Sequence, residues 1–246
     1  DVTVASLDQF NKDYKKYHDI YSYIINCSIK KDFFIKKYNK KNDSNLIIAN
    51  KISNSRTKLL MLSTRKIYET KYNIKETDQK KPKCNYSKNK LVSENSIKKI
   101  LTLNYLILRI SNVIGLPINS RRKVHNTFID IFFKQAKLGI IYKNPKIYKD
   151  FISIKNLNEA VFKLITKNAQ GIFNVSLGKK IYLNQIINWL NFYNKKKIVK
   201  VYPEKSFNNE SFTLNNDKLV NIIKIKLNIN DLKKESLKIS KKIFYK

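Results

Sequence analysis

The stretch Leu59-Leu60-Met61-Leu62-Ser63-Thr64, followed after a polar excursion by Tyr86-Ser87-Lys88-Asn89-Lys90, decides how the chain is read. The apolar run closing on two hydroxyls reads as a short buried strand. Lys81-Pro82 breaks the excursion, and the segment from Ser87 to about Leu101 has helical character. Tyr86 and Lys90 are four apart, so a helix projects both from one face. A phenol, an ammonium and a hydroxyl that converge are the parts for moving a proton on and off an alcohol or carbonyl oxygen. A free phenol titrates at about 10, and a nearby ammonium favours phenolate, which predicts a lowered pKa for Tyr86.

Outward from this stretch, strands alternate with helices. Asp1-Val2-Thr3-Val4-Ala5 reads as a strand, and Leu7 to Tyr17 as helical or irregular. Tyr21 to Cys27 reads as a second strand, Asn42 to Ile52 as a helix and Tyr105 to Leu108 as a further strand. That alternation predicts an α/β fold, a doubly wound parallel sheet with ligands at the carboxyl ends of its strands. Ser63-Thr64 and Ser111-Asn112 stand at such ends. Beyond Leu116 the pattern turns mostly helical, over Asn126 to Leu138 (ended by Gly139), Leu157 to Ile165 and Leu183 to Phe192. The expected division is a catalytic part over 1–115 and a substrate-binding part over 116–246, with some strands of the latter returning to the main sheet.

Several motifs in order resemble one family. Ser63-Thr64-Arg65-Lys66-Ile67-Tyr68 is similar to the S-[ST]-x-x-[VI]-[YF] strand end, and Tyr86-x-x-x-Lys90 to the Y-x-x-x-K, of extended short-chain dehydrogenase/reductases, the NAD-dependent epimerase/dehydratase family. Leu108 to Gly115 resembles L-R-x-x-N-V-Y-G, Lys149 to Ile154 resembles R-D-F-I-x-V, and Gly171 to Val175 resembles G-x-[YF]-N-[VI]. Phe212 to Leu219 resembles the family's closing D-x-S-K-L helix start. The resemblance implies a Rossmann-like fold, an NAD or NADP cofactor and a nucleotide-sugar substrate. It implies Tyr86 as acid/base, Lys90 as the group that lowers its pKa and holds the nicotinamide ribose, and Thr64 as the group that orients the substrate oxygen. It places Asn26, Cys27, Ser28, Ile110 and Ser111 at the cofactor, and Asn112 at the nucleotide-sugar near its diphosphate. For Asn26 and Ser28 ordinary turn chemistry is the alternative, and Arg109, inside its strand, reads as structural.

The departures sharpen the expectation. Dehydratases of the family carry Asp-Glu after the Thr; here Arg65 and Lys66 follow, which disfavours dehydration. The run Tyr72 to Asp78 with Pro82 has some likeness to the Y-x-E-x-D-x-P of dTDP-4-dehydrorhamnose reductase-like members. Lys149 and Asn156 stand where Arg and Asp are usual. The four glycines, Gly115, Gly139, Gly171 and Gly178, all follow the catalytic stretch, whereas the family's G-x-x-G-x-x-G turn sets pyrophosphate on a helix N-terminus. Asp1 to Ala5 fits the family's second strand, so a first βα unit of roughly thirty residues is expected to be missing: either the sequence is a fragment or this mode of dinucleotide binding has been lost. On this reading the residues as they stand bind NAD(P) poorly.

The formal charge of +33 over 246 residues raises nucleic acid as a partner. Yet the excess is lysine, with only Arg56, Arg65, Arg109, Arg121 and Arg122 as arginines. Lysine spread along the chain beside abundant asparagine and isoleucine reads as compositional drift, not as a phosphate-reading surface. Two cysteines, Cys27 and Cys84, give no disulfide framework, and no membrane span or signal peptide is visible, so the cytoplasm is expected. His18 and His125 lack metal-ligand company. The expectation is an epimerase or reductase in surface-polysaccharide sugar synthesis, without nucleic-acid or membrane partner and compatible with a homodimer. The alternatives are a non-catalytic or truncated relative that binds a nucleotide-sugar or a partner, and a basic nucleic-acid-binding protein. Which sugar, and NAD or NADP, stay open.

Overall fold

The computed structural model describes residues 2–115, 128–143, 147–195, 200–203 and 211–244, and the chain divides into two compact units. The first comprises 1–69, 79–109 and 168–173. Helix α1 (Leu7–Asp13) opens on Ser6, whose hydroxyl accepts from the Gln9 N–H while the Gln9 side chain accepts from the Ser6 N–H. This reciprocal cap satisfies two donors that a helix start leaves open. Strand β1 (Tyr23–Asn26) pairs in parallel with β2 (Lys58–Thr64). Between them lie α2 (Lys31–Ile35) and α3 (Ser44–Ile52), the latter capped by the Asp43 carboxylate, which accepts from the Asn45 and Leu46 N–H groups. Helix α4 (Asn85–Leu101) leads into β3 (Tyr105–Ile110), and the sheet runs in the order β1, β2, β3, Gly171–Val175.

Leu59, Leu60 and Met61 of β2 are wholly buried, as an apolar run must be in a parallel sheet covered on both faces. Leu59 and Met61 meet Ile48, Ala49 and Ile52 of α3, Ile97 and Leu101 of α4, and Phe10 of α1. Each large apolar side chain buried there contributes about 1.5–3 kcal/mol. The expected helices over 42–52 and 87–101 are present within a few residues of their predicted bounds. The expected strand over Asp1 to Ala5 is not: residues 2–5 form no ladder, and Val2 and Val4 are exposed. β-propensity describes side chains that suit a pleated surface, and without a paired neighbour it makes no strand.

The second unit comprises 70–78, 110–167 and 174–246, so the chain passes between the units several times, where the sequence reading places one boundary after Gly115. Strand β4 (Asn112–Ile114) is followed by α5 (Phe128–Lys137), β5 (Ile140–Lys143), β6 (Tyr148–Lys149), β7 (Phe151–Ser153) and α6 (Ile154–Thr166). After β8 (Gly171–Val175) come β9 (Ile181–Tyr182), α7 (Leu183–Leu190), β10 (Lys200–Pro203), α8 (Asp217–Ile223) and α9 (Ile229–Phe244). β4 pairs in parallel with β7. A Cβ on Gly115 would come within 2.5 Å of the Ile154 side chain, which explains glycine there. Asn126 and Thr127 of the predicted helix lie outside the described residues. Buried Asn174 ties this unit together: its N–H donates to Glu76 Oε1 at 2.8 Å, and its Nδ2 donates to the carbonyls of Ile74 at 2.9 Å and Asn215 at 3.2 Å.

Candidate active site

Helix α4 presents Tyr86, Lys90 and Glu94, one turn apart, to the last three residues of β2. The Thr64 side chain acts on the Tyr86 phenol, favouring its charged form. Lys90 Nζ donates to the Leu62 carbonyl at 2.8 Å. Ser63 Oγ donates to Glu94 Oε1 at 2.5 Å. Two successive turns of one helix therefore hold Leu62 and Ser63, and the i, i+4 spacing is what puts all three helix side chains on one face. Thr64 also accepts from the Lys66 N–H and so starts the short 3₁₀ turn Arg65–Ile67 that leads the chain off the strand.

Glu94 is the member that the sequence reading missed, although four residues after Lys90 is the signal that finds it. Its carboxylate is fully buried and pairs with Arg109 of β3, Nη2 to Oε2 at 2.7 Å and Nε to both oxygens at 3.2 and 3.3 Å. Arg109 Nη1 donates to the Tyr68 hydroxyl at 2.6 Å. A buried guanidinium and carboxylate hold together because every partner is supplied. The structural reading of Arg109 fits this network.

The electrostatics reverse one expectation. Burial pushes the Tyr86 phenol up to about 12, and the influence of the Thr64 side chain only partly offsets it. The phenol is not lowered as the spacing suggested, because the Lys90 ammonium turns to the Leu62 carbonyl and lies 5.9 Å from the Tyr86 ring centre. The ring instead stacks on Phe34, with centroids 4.3 Å apart and planes at 21°. Burial also brings Lys90 down to about 8, against the opposing pull of Asp43 and Glu94. Desolvation outweighs pairwise charge at both groups.

The other predicted residues fall in different places. Asn26 ends β1 with its amide used inside the fold: Nδ2 donates to Ser44 Oγ at 2.9 Å and Asn45 Oδ1 at 2.8 Å, and Oδ1 accepts from the Ser28 N–H at 2.9 Å and Oγ at 2.8 Å. The two Ser28 bonds are those of a turn, while the two amide bonds join the end of β1 to the start of α3. Cys27 and Ser28 are exposed. Ile110, Ser111 and Asn112 belong to the second unit, where Asn112 Nδ2 donates to the Asp150 carbonyl at 3.0 Å. Asp150 is fully buried and burial raises its carboxyl to about 7, offset in part by the Leu214 N–H at 2.9 Å.

The pattern that defines the NAD dependent epimerase/dehydratase family matches residues 34–176, more than half of the chain. The chain belongs to this family. Comparison with curated proteins finds no match. Among solved structures, the epimerase/dehydratase chain is similar to a UDP-N-acetylglucosamine 4-epimerase from Methanobrevibacter ruminantium M1 in complex with UDP-N-acetylmuramic acid, with TM-score 0.75 and 20% identity over 93% of this chain and 78% of that one. It is similar to a dTDP-glucose 4,6-dehydratase from Bacillus anthracis in complex with NAD, with TM-score 0.70 and 17% identity over 94% and 76%. It is also similar to a dTDP-4-dehydrorhamnose reductase ortholog from Clostridium acetobutylicum, with TM-score 0.69 and 17% identity over 94% and 84%. At these identities the likeness is one of fold, the Rossmann-like parallel sheet with flanking helices.

An ammonium carries three N–H donors, and Lys90 commits one of them to the Leu62 carbonyl, which leaves donors for a hydroxyl-bearing ligand. Among the described residues no helix is long and apolar enough to cross a membrane.

Proposed function

We propose that this family member is a nucleotide-sugar epimerase or reductase in which Tyr86 is the acid/base, Lys90 its charge partner and ribose ligand, and Thr64 the group that orients the substrate oxygen. The observation that carries the reading is the single face of α4 that turns Tyr86 and Lys90, one turn apart, to the end of β2, where Lys90 Nζ donates to the Leu62 carbonyl at 2.8 Å. NAD or NADP, when bound, supplies hydride exchange with a sugar carbon. Tyr86 takes the hydroxyl proton of that carbon or returns it, a role worth about 100- to 10,000-fold in rate. With burial holding the phenol at about 12, the approach of the Lys90 ammonium is the available means of making phenolate accessible near neutral pH. Asn26, Cys27, Ser28, Ile110 and Ser111 are the proposed cofactor contacts, and Asn112 the proposed contact to the nucleotide-sugar. Arg65 and Lys66 occupy the positions where dehydration needs carboxyl groups, which favours epimerisation or reduction. Synthesis of surface-polysaccharide sugars is the proposed setting.

The Tyr86 phenol pushed up to about 12, with Lys90 turned to the Leu62 carbonyl, favours a second reading, a relative that binds a nucleotide-sugar without turnover. The two separate in one experiment. The protein, expressed from its complete reading frame, is incubated with NAD or NADPH and a panel of UDP- and dTDP-hexoses, followed by proton NMR. Conversion at one sugar carbon is expected; saturable binding with no conversion across the panel supports the second reading.

A further inference from the structure

The buried carboxylate of Asp43 has no part in the site described so far. Asp43 is wholly buried at the start of α3. Its Oδ1 accepts from the Asn45 N–H at 3.1 Å, the Leu46 N–H at 3.2 Å and Ser93 Oγ at 3.1 Å, and its Oδ2 accepts from the Tyr38 hydroxyl at 3.0 Å. These donors are all neutral. Ser93 lies three residues beyond Lys90 on α4, so the carboxylate reaches the helix within a turn of the lysine.

We propose that Asp43 is the counter-charge of Lys90, a positioning residue that keeps the buried lysine an ammonium and thereby able to act on Tyr86 and a ribose hydroxyl. Its catalytic consequence rests on the function proposed above, whereas the pairing itself does not.

The groups that surround Lys90 decide between Asp43 and its rivals. Glu94 lies one turn on, but Arg109 already pairs with it at 2.7 Å, so its field at Lys90 is largely cancelled. Tyr86 and Phe33 present ring faces whose centres are 5.9 and 5.7 Å from Nζ, a weak attraction for a cation. Tyr38 is neutral, held so by burial and by the Asp43 charge itself. Among the described residues facing Lys90, Asp43 is therefore the carboxylate without a cation of its own, and it heads the influences that oppose the desolvation of Lys90. An acid used only to cap α3 could be replaced by asparagine or serine, both good helix caps. The charge adds to that cap an interaction with the positive end of the α3 dipole, and through Ser93 it also stands within a helical turn of Lys90.

The test is NMR titration of Lys90, observed through its ε-carbon and assigned by Lys90→Met, in the protein and in Asp43→Asn and Asp43→Ser. Both variants keep a cap. The expected result is a Lys90 midpoint below the native value of about 8, lower by about one pH unit, with circular dichroism unchanged. If neither variant folds, Asp43→Asn combined with Lys90→Met decides: removing both charges leaves neither one buried alone, so the double variant must fold, as read by circular dichroism and urea denaturation. A Lys90 midpoint indifferent to Asp43, or a double variant that fails to fold as the single variants do, overturns the proposal. Because no turnover is read, failure here is distinct from failure of the proposed function, which the sugar-nucleotide panel reports.

Discussion

At the scale of single residues, Lys90 carries the clearest cost. It is only 6% exposed, and burial depresses the pKa of its ammonium from 10.5 to about 8. Between those pH values the unfolded chain binds more protons than the folded one, so stability rises with pH across the window. The expected outcome is that the native protein gains stability relative to Lys90→Met as pH goes from 8 to 10.5, measured by urea denaturation at several pH values. Parallel pH curves would mean that Lys90 is not desolvated. Tyr86, Lys90 and Thr64 were legible in the sequence because helical spacing alone puts two of them on one face and a strand end offers the third. Asp43 and the raised phenol were not. Both depend on which groups come close through space and on how much water is excluded, and spacing along the chain carries neither.

At the scale of elements, α4 is fixed to the end of β2 by the Lys90–Leu62 and Ser63–Glu94 hydrogen bonds and to β3 by the Glu94–Arg109 pair. Breaking a buried pair by removing one partner costs about 3–5 kcal/mol, while replacing both with apolar residues can be near neutral. Glu94→Ala is therefore expected to lose stability on that scale, and Glu94→Met with Arg109→Met to recover most of it, as read by chemical denaturation. A double variant as unstable as the single one would contradict this account of the pair. The strands and helices around the pair were readable from apolar runs and caps. Val2 to Ala5 was not, because its alternation of valine with small residues says nothing about a paired neighbour.

At the scale of the whole molecule, the charge of +33 and the enzyme family point in different directions. Lysine spread by composition gives weak, sequence-indifferent attraction to DNA that falls steeply with salt. Binding weaker than nanomolar and without sequence preference is expected in a mobility-shift titration at physiological salt; nanomolar binding to a preferred duplex would make nucleic acid a partner. The order of motifs along the chain made the family readable, while the passage of the backbone between two units was hidden, since it follows from contacts that no local pattern records. The central claim is that the Tyr86 phenol moves the substrate proton. The most direct test compares turnover of the native protein and Tyr86→Phe, each expressed from its complete reading frame, on the sugar-nucleotide that the panel identifies. The account predicts a loss of about 100- to 10,000-fold in kcat with cofactor affinity little changed; a Tyr86→Phe enzyme that keeps near-native kcat would contradict it.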